Sequence, residues 1–223
     1  MIIKALPKYE PVRAEVDGER TYITPLGACR SVTTILGATR DNTGLELWRE
    51  SVGEERADAI CKLACFRGDR HHDSIEKYLL DGTEPKFDFL NTPYWNSSRA
   101  FLDRIRKTLL TEGAVYHPLG YAGAFDCIAY LHDDDDQPSL LDWKTADRLR
   151  NPAKMYEYYL QVSAYVAAAN YVYKPQGLNI TRAFIVVAIP DETPQIQELN
   201  LTQLTQYMLH FKARVERFTR ART

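Results

Sequence analysis

The sequence predicts an α/β (α+β) domain, on three observations. Segments with the two-residue period of strands alternate with segments of helical period. Asp17-Gly18 sits between two alternating runs, where a hairpin turn belongs. Ile180 to Ile189 is a continuous apolar run suited to a buried strand.

Taken in chain order, Val12-Arg-Ala-Glu-Val16 and Arg20-Thr-Tyr-Ile-Thr24 form the arms of that hairpin. Ser31 caps a short helix carrying Val32, Ile35 and Leu36. From about Leu45 to Leu80 the pattern is mostly helical, with a break or close approach expected at Gly68. Ser97 or Ser98 opens a helix through Leu110, with Arg99, Arg104, Arg106 and Lys107 on a basic side. Ala122 to Leu131 and Leu140 to Ala146 read as strands around a polar turn, His132 to Ser139. Asn151-Pro152, a capping residue followed by proline at the first helical position, starts a helix to about Tyr173. After the apolar run, Gln195 to Leu199 suits another strand. Leu201, Leu204, Met208, Phe211, Val215 and Phe218 then mark a last amphipathic helix.

Composition narrows the classes. Of 223 residues, 45% are hydrophobic and 26% charged, which supports a buried core and excludes wholesale disorder. A formal charge of −2 excludes a broadly basic nucleic-acid coat, so a polyanion would be met by a local patch. No stretch approaches the roughly 20 apolar residues that span a bilayer. No targeting segment is recognised in Met1 to Pro11, and a cytoplasmic location is expected. Without repeats or Gly/Ser linkers, residues 1–223 read as one domain: an extension over 1–30, a core over 31–165, and a strand and helix over 166–223. Cys29, Cys61, Cys65 and Cys127 contain no CxxC pair. Cys61 and Cys65, one turn apart, read as core-facing thiols.

The chemistry is concentrated in Gly123-Ala-Phe-Asp126 and Leu141-Asp142-Trp-Lys144. Alternation puts Asp142 and Lys144 on one face of their strand. A turn centred on residue 134 pairs Asp126 with Asp142, and one centred on 135 pairs it with Lys144. Both registers fall inside the polar turn and put all three charges on one face. Directly opposed Cβ atoms lie about 4.5–5.5 Å apart, close enough for two carboxylates to share a cation. One lysine does not neutralise two carboxylates, and a hard divalent ion, Mg²⁺ or Mn²⁺, is the natural third party. Such an ion polarises a phosphoryl oxygen and acidifies bound water. Lys144 would hold that water and offset charge growing on the phosphate. The competing reading is a hairpin whose charges merely pair with one another.

The order of motifs along the chain resembles the PD-(D/E)XK nuclease superfamily, in its RecB-type branch. Gly68-Asp-Arg-His-His72 matches that branch's Gly-x-x-x-His helix, and Gly123-Ala-Phe-Asp126 its Gly-x-x-Asp. Asp142-Trp-Lys144 matches D-x-K, and Gln161-Val-Ser-Ala-Tyr165 matches Gln-x-x-x-Tyr. Ser31-Val-Thr-Thr-Ile-Leu36, the Trp48 helix, Arg67-Gly68, Tyr94-Trp95 and Gly120-Tyr-Ala-Gly123 look like the subgroup of the mitochondrial genome maintenance exonuclease and its bacterial and phage relatives. The resemblance covers about Ser31 to Tyr165. Phe125 stands where the superfamily name has proline.

What the resemblance implies is a restriction-endonuclease-like core, a central mixed β-sheet flanked by helices. It implies a metal-dependent DNA exonuclease that prefers single-stranded DNA ends, acting in DNA repair or replication processing. Competing readings are a structure-specific endonuclease with the same site, or a nucleic-acid-binding scaffold that does not cut. His72, Asp126, Asp142 and the Trp143 carbonyl would hold one or two Mg²⁺ or Mn²⁺ ions. Lys144, Asp142 and Asp126 would be catalytic, and Gln161, Tyr165 and Arg148 would contact substrate. Glu76 would orient His72 and Glu112 would support a second metal, with solvated surface glutamates as the alternative for both. Some relatives hold an iron–sulfur cluster with three cysteines after the Gln-Tyr helix; no cysteine follows Cys127, so none is expected. The acidic turn Asp133–Asp136 reads as solvated rather than metal-binding. Trp48, Tyr94, Trp95 and Tyr121 are candidates for base stacking or for the core. The basic carboxyl end (Lys212, Arg214, Arg217, Arg220, Arg222) reads as a phosphate-binding flank or a solvated helix face.

Overall fold

The computed structural model describes residues 3, 5–16, 18–132 and 136–222. Asp17 of the expected hairpin turn and Asp133 to Asp135 of the acidic turn lie outside the described residues. Strands β1 (Val12–Val16), β2 (Glu19–Thr24) and β3 (Gly27–Ser31) come first. Helices α1 (Val32–Thr39), α2 (Thr43–Val52), α3 (Glu54–Asp81) and α4 (Thr92–Leu102) follow. The middle is β4 (Ile105–His117), β5 (Tyr121–Leu131) and β6 (Ser139–Thr145). Then come α5 (Pro152–Val172), β7 (Arg182–Ala188), β8 (Gln195–Asn200) and α6 (Leu201–Arg220).

The strands form one mixed sheet in the order β1-β2-β3-β5-β6-β7-β8, with β4 also paired to β5. The β3/β5 and β6/β7 pairs are parallel and the others antiparallel. Alternation along the strands splits the core into two layers. Ile128, Tyr130, Leu140, Ile185 and Val187 pack with α1, α5 and α6. Cys127, Ala129, Leu131, Leu141, Trp143 and Val186 pack with α3 and α4. This is the mixed α/β architecture expected, a central sheet with helices on both faces.

Local chemistry sets the helix ends. Ser31 Oγ accepts from the Thr34 N–H at 2.9 Å, and Asn151 Oδ1 from the Lys154 N–H at 3.0 Å. Asn200 and Gln203 make a reciprocal capping box that opens α6. The long helical stretch breaks at Gly53, not Gly68. Gly53 takes φ 85°, in the left-handed region that glycine tolerates, whereas Gly68 sits inside α3 with open space around it. The helix expected through Leu110 ends at Leu102, and Ile105 onward is strand instead. Pairing along almost all of β5 outweighs the local helical spacing there. Cys61 is half-buried and Cys65 exposed, so these two thiols do not face the core as expected.

The β5–β6 register is Cys127↔Leu141, Ile128↔Leu140 and Ala129↔Ser139, which centres the turn on residue 134. Of the two registers open in the sequence, the chain therefore takes the one that brings Asp126 and Asp142 alongside. The ladder stops short of them, and the strands part there. β4 would be an open sheet edge, but the Leu6 N–H donates to the Leu109 carbonyl at 3.2 Å, so the N-terminal segment covers part of it.

Candidate active site

Where β5 and β6 part, the Asp126 carboxylate replaces the lost ladder. Its Oδ2 accepts from the Trp143 N–H at 2.7 Å. That bond fixes Asp126 against the strand carrying Asp142 and Lys144. His72 arrives from α3 and meets the same residue: its Nε2–H donates to the Trp143 carbonyl at 2.9 Å. This commits Nε2 as the protonated nitrogen and leaves the Nδ1 lone pair free. Nδ1 lies 3.5 Å from Asp126 Oδ1 and 4.0 Å from Glu112 Oε1.

Glu112 reaches this point through an unusual backbone. Its φ of 47° is left-handed, in the middle of a strand. Side chains of successive strand residues ordinarily point to opposite faces. Here Thr111 and Glu112 both reach α3: Thr111 Oγ1 donates to Glu76 Oε1 at 3.1 Å, and Glu112 approaches His72. A non-glycine residue held in this region costs roughly 1–3 kcal/mol, and such strain clusters at functional sites. His72, Glu112 and Asp126 thus offer one ligand atom each, all within 4.8 Å of one another.

Asp142 stands apart from that trio. Its carboxylate is completely buried, with Oδ2 at 2.5 Å from the Lys144 ammonium. Apart from that ion pair, neither oxygen has a hydrogen-bond partner. Burial raises the Asp142 pKa, with Asp126 adding to it and Lys144 opposing. Burial alone would lower the Lys144 ammonium, but Asp142 and Asp126 outweigh it and hold its pKa above the ordinary lysine value. The Lys144 side chain keeps 17% exposure, so it is the one member of the pair open to solvent. Burial followed by repulsion from Asp126 raises Glu112 to about 7.

The donor set suits a hard divalent cation. Three carboxylates and one ammonium leave two negative charges when Glu112 is ionised, and the ligand atoms are oxygen and imidazole nitrogen. A buried carboxylate with no hydrogen-bond donor other than Lys144 is unsatisfied until a cation or a water meets it.

No protein-family model matches the chain, and none of the curated proteins matches it significantly. Among solved structures it is similar to SSO0001 at 14% identity and a TM-score of 0.43, over 81% of this chain and 73% of that one. It is similar to the protein named "Putative exonuclease" from Eubacterium rectale at 13% identity and a TM-score of 0.40, over 86% and 67%. A third similarity is to an alkaline exonuclease from Laribacter hongkongensis, at 14% identity and a TM-score of 0.30, over 69% and 84%.

Other expected residues fall nearby or elsewhere. Tyr165 packs on Gly123, where an added Cβ would meet its Cε1 at 2.6 Å. Gln161 Nε2 donates to the Tyr165 hydroxyl at 3.3 Å, and burial, with Asp142 and Asp126 adding, pushes that hydroxyl up. Arg148 is exposed on the segment after β6. The Trp143 carbonyl is engaged by His72. The Glu76 side chain meets Thr111 and, at 3.9 Å, Lys8; none of its described side-chain contacts is to His72. Tyr94, Trp95 and Tyr121 are buried in the core, which removes them as base-stacking platforms. Much of the basic carboxyl end is tied internally: Arg214 to Glu157, Arg217 to the Thr39 carbonyl, Arg222 to Glu19. Asp136 pairs with Arg106.

Two neighbours were not anticipated. Tyr158 lies under the Lys144 ammonium, 5.5 Å from ring centroid to Nζ. It precedes Gln161 by three residues and Tyr165 by seven, so helical spacing alone puts it on their face. Asp147 accepts from Arg67 Nη1 at 2.6 Å and from the Tyr94 hydroxyl at 2.7 Å, which ties α3, α4 and the end of β6 together. His71, beside His72, is buried: its Nδ1–H donates to Asn91 Oδ1 at 3.1 Å and its Nε2 accepts from Ser98 at 3.0 Å.

Proposed function

We propose that this chain is a metal-dependent deoxyribonuclease of the RecB-type PD-(D/E)XK kind, acting as an exonuclease on single-stranded DNA ends. The observation that carries the reading is the meeting of His72, Glu112 and Asp126 beside the buried Asp142–Lys144 pair, where β5 and β6 part. His72, Glu112 and Asp126 would hold Mg²⁺ or Mn²⁺, with Asp142 as a further carboxylate from the adjacent strand. When bound, such an ion polarises a phosphoryl oxygen and acidifies water.

The chain's own residues do the rest. The Trp143 carbonyl fixes the His72 ring so that Nδ1 faces Glu112 and Asp126. Lys144 carries a proton in the resting site and places a positive charge where an entering phosphate develops negative charge. Tyr158, beneath the ammonium, limits where that lysine points. Gln161 and the exposed Arg148 would contact the phosphate backbone on the α5 side, and Tyr165, buried against Gly123, would act through the bond it accepts from Gln161.

The test is digestion of end-labelled linear and circular single-stranded DNA with Mg²⁺ or Mn²⁺. Linear DNA should be degraded from an end, circular DNA should resist, and Asp142→Ala or Lys144→Ala should lose the activity. Undiminished activity in either variant overturns the site, and rapid cutting of circles overturns the exonuclease reading.

A further inference from the structure

A cavity of about 330 Å³ adjoins the His72–Glu112–Asp126 cluster without belonging to it. Glu76, Leu79 and Leu80 of α3 wall one side, Thr108 and Thr111 of β4 the other, and Lys8 reaches it from the N-terminal segment. Helical rise puts Glu76 about 6 Å and Leu80 about 12 Å along α3 from His72. On the strand side, Thr111 lines the cavity and Glu112 is the next residue. The cavity therefore begins beside the cluster and runs away from it between α3 and β4.

Its chemistry is graded. The far part is aliphatic, with Leu80 exposed and Leu79 half-buried. The part near the cluster carries one cation and one carboxylate. Lys8 Nζ lies 3.9 Å from Glu76 Oε1, looser than a hydrogen bond, and its side chain is 45% exposed. The bond from Thr111 also uses Oε1, which leaves Oε2 for another donor. Lys8 is not on a free tail, because Leu6 is buried and paired to Leu109 in β4. The ammonium is thus delivered to the cavity by a segment that also covers part of the sheet edge. The volume lies at the low end of pockets that bury one small ligand.

We propose that this cavity is a subsite for one nucleotide of the substrate strand, next to the phosphate held at the cluster. Lys8 meets the phosphate of that nucleotide, Glu76 accepts from a sugar hydroxyl or base amine, and Leu79 and Leu80 cover the base. The proposal rests on the nuclease reading for its substrate, but the cavity's ligand chemistry can be measured without cleavage.

The probes are deoxyadenosine monophosphate and deoxyadenosine, titrated calorimetrically in EDTA so that no metal bridges the phosphate. The full chain is compared with Lys8→Gln and with Thr108→Trp, which fills the cavity. Lys8→Gln should weaken the monophosphate at least tenfold and leave deoxyadenosine unchanged, while Thr108→Trp should abolish both. No binding to the unmodified chain, or equal monophosphate affinity in Lys8→Gln, overturns the proposal. If Thr108→Trp does not fold, the surface variant Lys8→Gln still decides. A second arm separates a strand subsite from a site for free mononucleotide: Lys8→Gln should raise KM for single-stranded DNA. A tenfold loss of monophosphate affinity with unchanged KM overturns the strand assignment. Absence of hydrolysis by the unmodified chain defeats the nuclease reading, and the metal-free titration still reports on the cavity.

Discussion

Replacing Glu112 with glutamine should stabilise the metal-free protein and destabilise the metal-loaded one. Burial and the neighbouring Asp126 raise the Glu112 pKa from 4.5 to about 7. A carboxyl with a raised folded-state pKa holds its proton longer when folded, so its stabilising contribution is complete below pH 4.5 and lost as pH rises through about 7. At 1.36 kcal/mol per pKa unit, the full shift corresponds to roughly 3 kcal/mol. The side chain is 36% exposed, and solvent screening cuts that to about 1–2 kcal/mol. Glutamine keeps the shape and the left-handed backbone, so backbone strain cancels in the comparison. At pH 8 in EDTA, Glu112→Gln should melt about 2–8 °C above the unmodified chain, at roughly 2–4 °C per kcal/mol for a chain of this size. The gap should close by pH 4.5. Saturating Mn²⁺ should reverse the order, because the ligand stabilises the form that binds it better. Thermal unfolding followed by circular dichroism at both pH values, with and without Mn²⁺, measures all of this. A Glu112→Gln protein less stable than the parent at pH 8 in EDTA, or a gap independent of pH, refutes the reasoning.

Three further outcomes follow from the same site. Burial lowers the His71 pKa from 6.5 to about 4, so neutral His71 supports the fold above pH 6.5 and that support is lost as pH falls towards 4. The full effect is on the order of 3 kcal/mol, and urea midpoints of His71→Gln should show a shallower acid slope than the parent. Lys144→Ala leaves Asp142 buried and unpaired, which should cost about 3–5 kcal/mol in EDTA, and adding Asp142→Asn should recover most of it in denaturant titrations. Gly123→Ala drives a methyl group into Tyr165 at 2.6 Å and should cost about 1–3 kcal/mol in thermal unfolding, relieved when Tyr165 is shortened to leucine.

The parts of the fold that read directly from the sequence have strong local signals. Asn151-Pro152 is both a cap and a helix start, and the apolar stripe of α6 faces the core through Leu204, Phe211, Val215 and Phe218. The segment that misled is 103–110, where basic and leucine residues fall at helical spacing but the chain pairs with β5. Only a partner strand distant in sequence decides that, and local periodicity carries no record of it. Asp126, Asp142 and Lys144 could be grouped beforehand because strand alternation and one hairpin put them on a common face. The family resemblance named His72 and Glu112 as well, but residue spacing alone could not bring them together, since their meeting depends on a left-handed residue within β4 and on the path of α3. The place of Lys8 is equally silent in the sequence, because it follows from a single backbone pairing at Leu6.

The most direct measurement is the rate of phosphodiester hydrolysis on end-labelled single-stranded DNA, with the unmodified chain and Asp126→Asn assayed side by side in Mg²⁺ and in EDTA. Hydrolysis by the unmodified chain should require Mg²⁺ and fall at least a hundredfold in Asp126→Asn while the variant remains folded. Cleavage that persists in EDTA, or that survives Asp126→Asn, would contradict a metal site built on Asp126.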